Sequence, residues 1–247
     1  MSAFPAERTV VPEHLDSMRP DAPEARASRR DLHRINALML QSRILAGLMK
    51  THVPEPPRRI VELGCGDGLT THAVLRRLAP AWPGGTLTLV DAQPVVLERA
   101  VDDLAALGWR VEIVTADVVD WLPAAGTHDL AIANLFLHHF NAADLSRVLD
   151  GIAGGCETFV ATEPRRSRFA AMAAGSLHAI GANAVTRHDA VVSVKAGFRD
   201  GELAASWPGA VIVDAAHGPF TQAFVGRPHA PAHAGDPGVQ RDGRKGR

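Results

Sequence analysis

The chain has 247 residues, 46% of them hydrophobic and 21% charged, and 26 basic residues balance 27 acidic ones for a net charge of −1. That length suits one α/β domain with a substantial core, and the even charge balance argues against a nucleic-acid partner, since such domains are usually strongly basic. The two cysteines, Cys65 and Cys156, form neither a disulfide framework nor a metal-binding CxxC, and the absence of tyrosine excludes a phenolic acid–base role.

The first thirty residues lack the apolar core of a signal peptide, and no apolar run approaches the ~18 residues of a membrane span. A cytoplasmic protein with no membrane partner is expected. Residues 1–29, rich in Pro, Ala and charge, read as a flexible arm. Leu32, Ile35, Leu38, Met39, Leu45, Leu48 and Met49 then recur at helical spacing, so one amphipathic helix is expected over 31–50, ended by Pro54, Pro56 and Pro57.

From residue 58 strands and helices alternate. RRIVEL, TLTLVD, RVEIVTAD, HDLAIAN and CETFVATE have strand character, and LTTHAVLRRLA, PVVLERAVDDLAAL (opened by Pro94) and AADLSRVLDGIA have helix character. This order implies a parallel sheet with crossover helices. Residues 165–206 interrupt it as an inserted helical lid, with a helix expected near 167–182, a loop near 183–197 and a short helix near 199–206. PGAVIVDAAHGPFTQAFVGRP closes the domain as two strands around His217-Gly218-Pro219, a turn short enough to make them antiparallel. The fold expected for residues 30–226 is therefore α/β, a seven-stranded, mostly parallel sheet with a C-terminal antiparallel hairpin. Residues 227–247 read as a disordered tail.

The first strand runs into VELGCGDG at 61–68, which places Gly64, Gly66 and Gly68 at alternate positions. The spacing is neither the dinucleotide G-x-G-x-x-G nor a Walker loop. Taken alone it fits a tight β–α turn as well as a ligand cradle. The following strand ends carry Asp91, Asp117 and Asn134, and ligands of open α/β sheets bind beyond those carboxyl ends. Capping or turn roles remain the alternative for the two aspartates.

Together E-L-G-C-G-D-G at 62–68, V-D-A at 90–92, A-D-V at 116–118 and N-L-F-L-H-H-F at 134–140 resemble the class I S-adenosylmethionine-dependent methyltransferases, over roughly residues 58–226. The resemblance implies a Rossmann-like fold and S-adenosyl-L-methionine as cofactor. It implies Gly64, Cys65 and Gly66 against the methionyl part, with Cys65 as a small residue that fits the turn. Glu62 and Asn134 would stand at the ammonium group, Asp91 with Ala92 at the ribose hydroxyls, and Asp117 and Val118 at the adenine.

The segment Asn134-Leu135-Phe136-Leu137 lacks the [DN]-P-P-[YF] of amino-group methyltransferases that act on nucleic acid or glutamine. His138-His139-Phe140-Asn141 is instead similar to the H-D-W-S of phenolic O-methyltransferases, which makes His138 the candidate base. It also resembles the L-H-H-[LFW] of many small-molecule methyltransferases, in which the histidine pair is often structural. Glu163, Arg165 and Arg166 follow the fifth strand, with the arginines able to hold an acceptor anion or to be plain solvated charge. His178, His188 and Asp189 lie in the lid, and His33 and Asn36 are placed to close the pocket. The lid segment RHDAVVSVKAGFRDGELAASWP resembles methyltransferases of polyketide-type biosynthesis. No metal constellation emerges from spacing. The expected activity is O-methylation of a phenolic or polyketide-like small molecule, with C-methylation of a quinone-type acceptor or a catalytically silent binding protein as alternatives. Oligomeric state is not legible.

Overall fold

A computed structural model of the chain describes residues 4–229. Three helices come first: α1 (His14–Ser17), α2 (Pro23–Leu38) and α3 (Gln41–His52). The alternating part follows as β1 (Arg59–Leu63), α4 (Leu69–Leu78), β2 (Gly85–Asp91), α5 (Glu98–Ala106), β3 (Trp109–Thr115), α6 (Val118–Trp121), β4 (His128–Asn134), α7 (Ala142–Gly155) and β5 (Cys156–Pro164). After the lid helices α8 (Arg168–Gly175) and α9 (Ala184–Ala196), the chain ends in β6 (Gly209–His217) and β7 (Thr221–Pro228).

The seven strands lie in the order β3-β2-β1-β4-β5-β7-β6. β1 pairs in parallel with β2 on one side and β4 on the other, so the strand order reverses there and a crevice opens beyond the carboxyl ends of β1 and β4. β7 pairs antiparallel with both β5 and β6, with Phe159 opposite Gly226 and Thr162 opposite Ala223. Neighbouring residues of β1 serve opposite faces, as strand geometry requires. Ile60 joins Leu45, Met49, Leu75 and Leu87 under α3 and α4, while Val61 and Leu63 join Leu149, Phe159 and Phe224 under α7. The sheet is thus covered on both sides, which explains the near-continuous apolar runs of its parallel strands.

The helical segments depart from expectation in three places. The single helix expected over 31–50 is two, broken at Leu40, whose φ of +58° leaves the helical region. Helical periodicity runs through the break because α2 and α3 each keep an apolar face. The helix expected from Pro94 starts only at Glu98. In the lid the expected long helix stops at Gly175, followed by a 3₁₀ turn over Leu177–Ile180. The expected loop 183–197 is instead α9, capped by Asn183, whose side chain accepts the Thr186 N–H at 2.9 Å. The short helix expected near 199–206 is a single 3₁₀ turn, Ala204–Ser206.

The described part of the N-terminal segment, expected to be a flexible arm, lies across the carboxyl edge of the sheet. Arg8 donates to the carbonyls of Ala196 (2.8 Å) and Phe140 (3.0 Å), and its guanidinium carbon sits 4.1 Å from the Phe198 ring centroid. Asp189 of α9 accepts the backbone N–H groups of His14 and Leu15. Of the expected tail, residues 230–247 lie outside the described part of the chain.

Candidate active site

The turn from β1 into α4 has Gly64, Gly66 and Gly68 at φ +69°, +55° and +80°, a backbone that other residues enter only with strain. The three differ in what surrounds them. A Cβ on Gly64 would lie 2.1 Å from Phe136 Cδ2, whereas a Cβ on Gly66 would meet nothing within 4 Å. Gly64 is pressed by protein; Gly66 borders open space.

Asp91 sits at the end of β2 and accepts the N–H of Gly66 (2.8 Å) and of Gln93 (2.9 Å). Asp117 caps α6 through the Val119 N–H at 2.8 Å. Both aspartates therefore do the turn and capping work that was the alternative reading, and both also line the crevice together with Ala92 and Val118. A carboxylate offers about four lone-pair sites, so one such bond per oxygen leaves acceptor capacity for a ligand. Asn134 also lines the crevice, and its Oδ1 accepts the Thr162 hydroxyl at 2.9 Å.

Glu62 is buried, and the hydroxyl of Thr71 donates to it. Burial pushes its carboxyl up to about 8, against the Thr71 hydrogen bond, with the charges of Asp91 and Asp67 adding to the rise. Cys65 lies buried in the turn, and burial raises its thiol well above the usual range, so it is a packing group. His33 of α2 reaches over the turn, its Nε2 2.5 Å from Asp67 Oδ2.

The crevice comprises two cavities of about 230 and 350 Å³ that share Gly64, Gly66, Leu135 and Arg29 among their walls. A third, largely apolar cavity of about 220 Å³ lies between α2 and the lid helices α8 and α9. Leu32, Asn36, Leu135, Pro164 and Ser193 belong both to this chamber and to the smaller crevice cavity. Leu135 borders all three spaces and holds φ +54°, a conformation rare outside glycine that concentrates at functional turns. Asn36 Oδ1 is buried there without a hydrogen-bond partner among the described residues.

His138 and His139 stand on a 3₁₀ turn, Leu137–His139, just beyond β4. Glu163, at the end of β5, shapes this turn: it accepts the N–H groups of Phe136 (3.0 Å) and Leu137 (2.7 Å), and the Nδ1–H of His138 at 2.8 Å. Burial pulls the His139 imidazole down, but the facing carboxylates of Glu13 and Asp16 outweigh it and carry it up to about 9. Burial would raise Glu13, yet the two histidines hold it well below the usual carboxylate range.

The arginines after β5 do not join the site. Arg166 is buried and pairs with Glu202 while donating to the carbonyls of Gly197 and Ala6; Arg165 pairs with Asp200 and Gln222. His178 and His188 are exposed. Sequence reasoning missed Glu13, which lies 125 residues from its partner His138, and Leu135, whose left-handed backbone no side-chain pattern signals.

The strand order, the glycine turn after β1 and the polar strand ends around one crevice define the class I methyltransferase fold. Residues 60–156 match the model of the methyltransferase domain family. Over 84 residues it is 33% identical to the trans-aconitate 2-methyltransferase of Mycobacterium tuberculosis, a stretch that is 34% of this chain and 28% of that relative. An O-methyltransferase family protein from Burkholderia thailandensis superposes with a TM-score of 0.56 at 19% identity, covering 87% of this chain and 66% of the other. The plantazolicin methyltransferase BpumL, solved with S-adenosylhomocysteine, gives 0.59 at 12% identity, over 85% and 92% of the two chains. Among the described residues no helix is long and apolar enough to cross a membrane.

Proposed function

We propose that the protein transfers a methyl group from S-adenosylmethionine to an oxygen of a small, largely apolar acceptor of phenolic or polyketide-like character. The observation that carries this reading is the shared wall of the two spaces: a crevice with polar groups at the strand ends and an apolar chamber roofed by the lid have Leu32, Asn36, Leu135, Pro164 and Ser193 in common.

The residues of the crevice suit the cofactor. Gly66 faces open space, so a ligand can lie against its backbone, with Gly64 and Cys65 beside it in the crevice wall. Glu62 and Asn134 are placed for its ammonium group, Asp91 and Ala92 for the ribose hydroxyls, and Asp117 and Val118 for the adenine. Once bound, the cofactor supplies an electrophilic sulfonium methyl. The chain's own part is then to align an acceptor oxygen and exclude water. His138 is the group proposed to receive the hydroxyl proton, with Glu163 holding its Nδ1–H so that Nε2 is the basic nitrogen. Glu13 stands at that Nε2 and must withdraw when an acceptor enters.

Calorimetric titration with S-adenosylhomocysteine, followed by methyl-transfer assays on a panel of apolar phenols, tests the proposal. Micromolar binding and turnover of a phenolic acceptor are expected. A chain that does not bind S-adenosylhomocysteine, with Asp91→Ala equally inert, would overturn it.

A further inference from the structure

The crevice wall carries a cluster of imidazole and carboxylate donors to which the cofactor proposal assigns no contact. The rings of His138 and His139 lie with centroids 4.2 Å apart, inclined at 36°. Each has its Nδ1 engaged on the protein side: His138 with Glu163 Oε2 at 2.8 Å and His139 with the Phe136 carbonyl at 2.9 Å. Both Nε2 atoms face the carboxylate of Glu13, with His138 Nε2 3.4 Å from Oε1 and His139 Nε2 3.6 Å from Oε2. Asp16 Oδ2 stands 3.5 Å from the same nitrogen of His139. One ligand atom each from Glu13, His138 and His139 falls within 4.8 Å of the other two.

These separations are long for charge-assisted hydrogen bonds, which run at about 2.7–2.9 Å. Each is close to the roughly 3.4 Å that separates donors at about 2.0–2.1 Å from a tetrahedral ion, with the two imidazoles facing different oxygens of one carboxylate. The inner contacts point the same way. A metal-binding imidazole characteristically donates its other N–H to a carboxylate or backbone carbonyl, which fixes tautomer and ring orientation, and both histidines do so. The Glu13 carboxylate is itself held, with Ser193 donating its hydroxyl to Oε1.

We propose that Glu13, His138 and His139, with Asp16 at the rim, bind one divalent transition-metal ion of the zinc type. Imidazole and carboxylate donors select such ions over magnesium or calcium, which prefer all-oxygen shells. The ion would tie the N-terminal segment to the turn after β4, across the mouth of the crevice. An ion on His138 Nε2 occupies the lone pair that the base role needs, so metal-bound and proton-accepting His138 are alternative states of one residue. That consequence rests on the methyl-transfer reading; the binding site does not. A second group, His14, His188 and Asp189, also brings three donors together. There Asp189 already serves two backbone N–H groups and the imidazoles stack on each other at 3.8 Å, so it serves as the control.

The full chain, stripped with a chelator, is titrated with Co²⁺ and followed by its d–d absorption, then challenged with Zn²⁺ by calorimetry. One equivalent of Co²⁺ with the strong bands of low coordination number is expected, displaced by Zn²⁺. Glu13→Gln and His139→Ala should each weaken Zn²⁺ binding at least tenfold while retaining the native circular dichroism spectrum. His188→Ala, and a His229→Ala/His233→Ala variant of the tail, should bind as the wild type does. No cobalt bands in the wild type, equal affinity in Glu13→Gln and His139→Ala, or loss of binding only in the His188 or tail variants would each overturn the site. Because none of these readouts involves methyl transfer, failure of the metal site and failure of the activity are distinguishable.

Discussion

Asp91 and Gly66, 25 residues apart in the chain, are joined by a hydrogen bond of 2.8 Å from the glycine N–H to the carboxylate. The end of β2 thereby holds the turn after β1 in shape, and the second oxygen accepts the Gln93 N–H. One side chain thus supports the glycine turn and faces the crevice. Asp91→Ala removes both functions. A loss of S-adenosylhomocysteine affinity of roughly thirtyfold is expected, about 2 kcal/mol, as for hydrogen bonds to a charged group. The melting temperature should fall by a few degrees, because two backbone donors lose their partner. Unchanged calorimetric affinity would remove Asp91 from the cofactor site and leave it a turn residue.

The glycines of that turn separate structure from ligand. Gly64→Ala sets a methyl against the Phe136 ring at a φ of +69°, so strain and overlap act together; a destabilisation of about 2–4 kcal/mol is expected. Gly66→Ala has the strain without the overlap, and about 1–2 kcal/mol is expected. Its methyl, however, enters the space proposed for the cofactor. Thermal melts should therefore rank Gly64→Ala as the more damaging change, while at a temperature where both are folded Gly66→Ala loses S-adenosylhomocysteine binding at least tenfold. Equal binding by Gly66→Ala and wild type would move the ligand off this turn.

Glu62 makes the site sensitive to pH. Burial, opposed by the Thr71 hydrogen bond, raises its carboxyl from 4.5 to about 8. The folded chain thus keeps a proton that the unfolded chain gives up, and this contribution to stability is complete below about pH 4.5 and lost as pH rises to about 8. The slope reaches at most ~1.4 kcal/mol per pH unit. Glu62→Gln should flatten the stability profile in that window. A bound ammonium group favours the ionised carboxylate, so cofactor binding near pH 7 should release close to one proton and tighten toward pH 8. Calorimetry in two buffers of different ionisation enthalpy measures that proton; a binding heat independent of buffer would argue against Glu62 as the ammonium partner.

The sheet and the gathering of the strand-end residues around one crevice were legible in the sequence because they are local: each strand end carries its own residue, and strand–helix alternation fixes where those ends meet. Glu62, Gly64, Gly66, Asp91, Asp117 and Asn134 all line one crevice for that reason. The other walls of the crevice were not legible because they are assembled from distant segments. Glu13 meets His138 only through the fold, and the composition of residues 1–29 conceals contacts that each depend on a single side chain. α9 was hidden because its run of Ala and Val carries no clear helical stripe. The break at Leu40 was hidden because a left-handed residue between two amphipathic helices leaves their apolar spacing intact.

Asn36 offers the sharpest separation of stability from function beside the apolar chamber. Its Oδ1 is buried in the wall between crevice and chamber without a partner among the described residues, and a buried unsatisfied acceptor costs about 1–3 kcal/mol. Replacing it by Leu, of similar size, removes that cost and extends the apolar lining formed by Leu32, Ile35 and Met39. Asn36→Leu should therefore melt higher than the wild type, by about 2–4 °C per kcal/mol regained in a domain of this size. If Oδ1 waits for a donor on the acceptor, the same change should lower kcat/KM for a hydroxylated acceptor about tenfold or more and leave S-adenosylhomocysteine affinity untouched. A gain in melting temperature with unaltered kcat/KM would show Asn36 to be a packing fault rather than a specificity residue, and would move acceptor recognition to Ser193 on the opposite wall of the chamber.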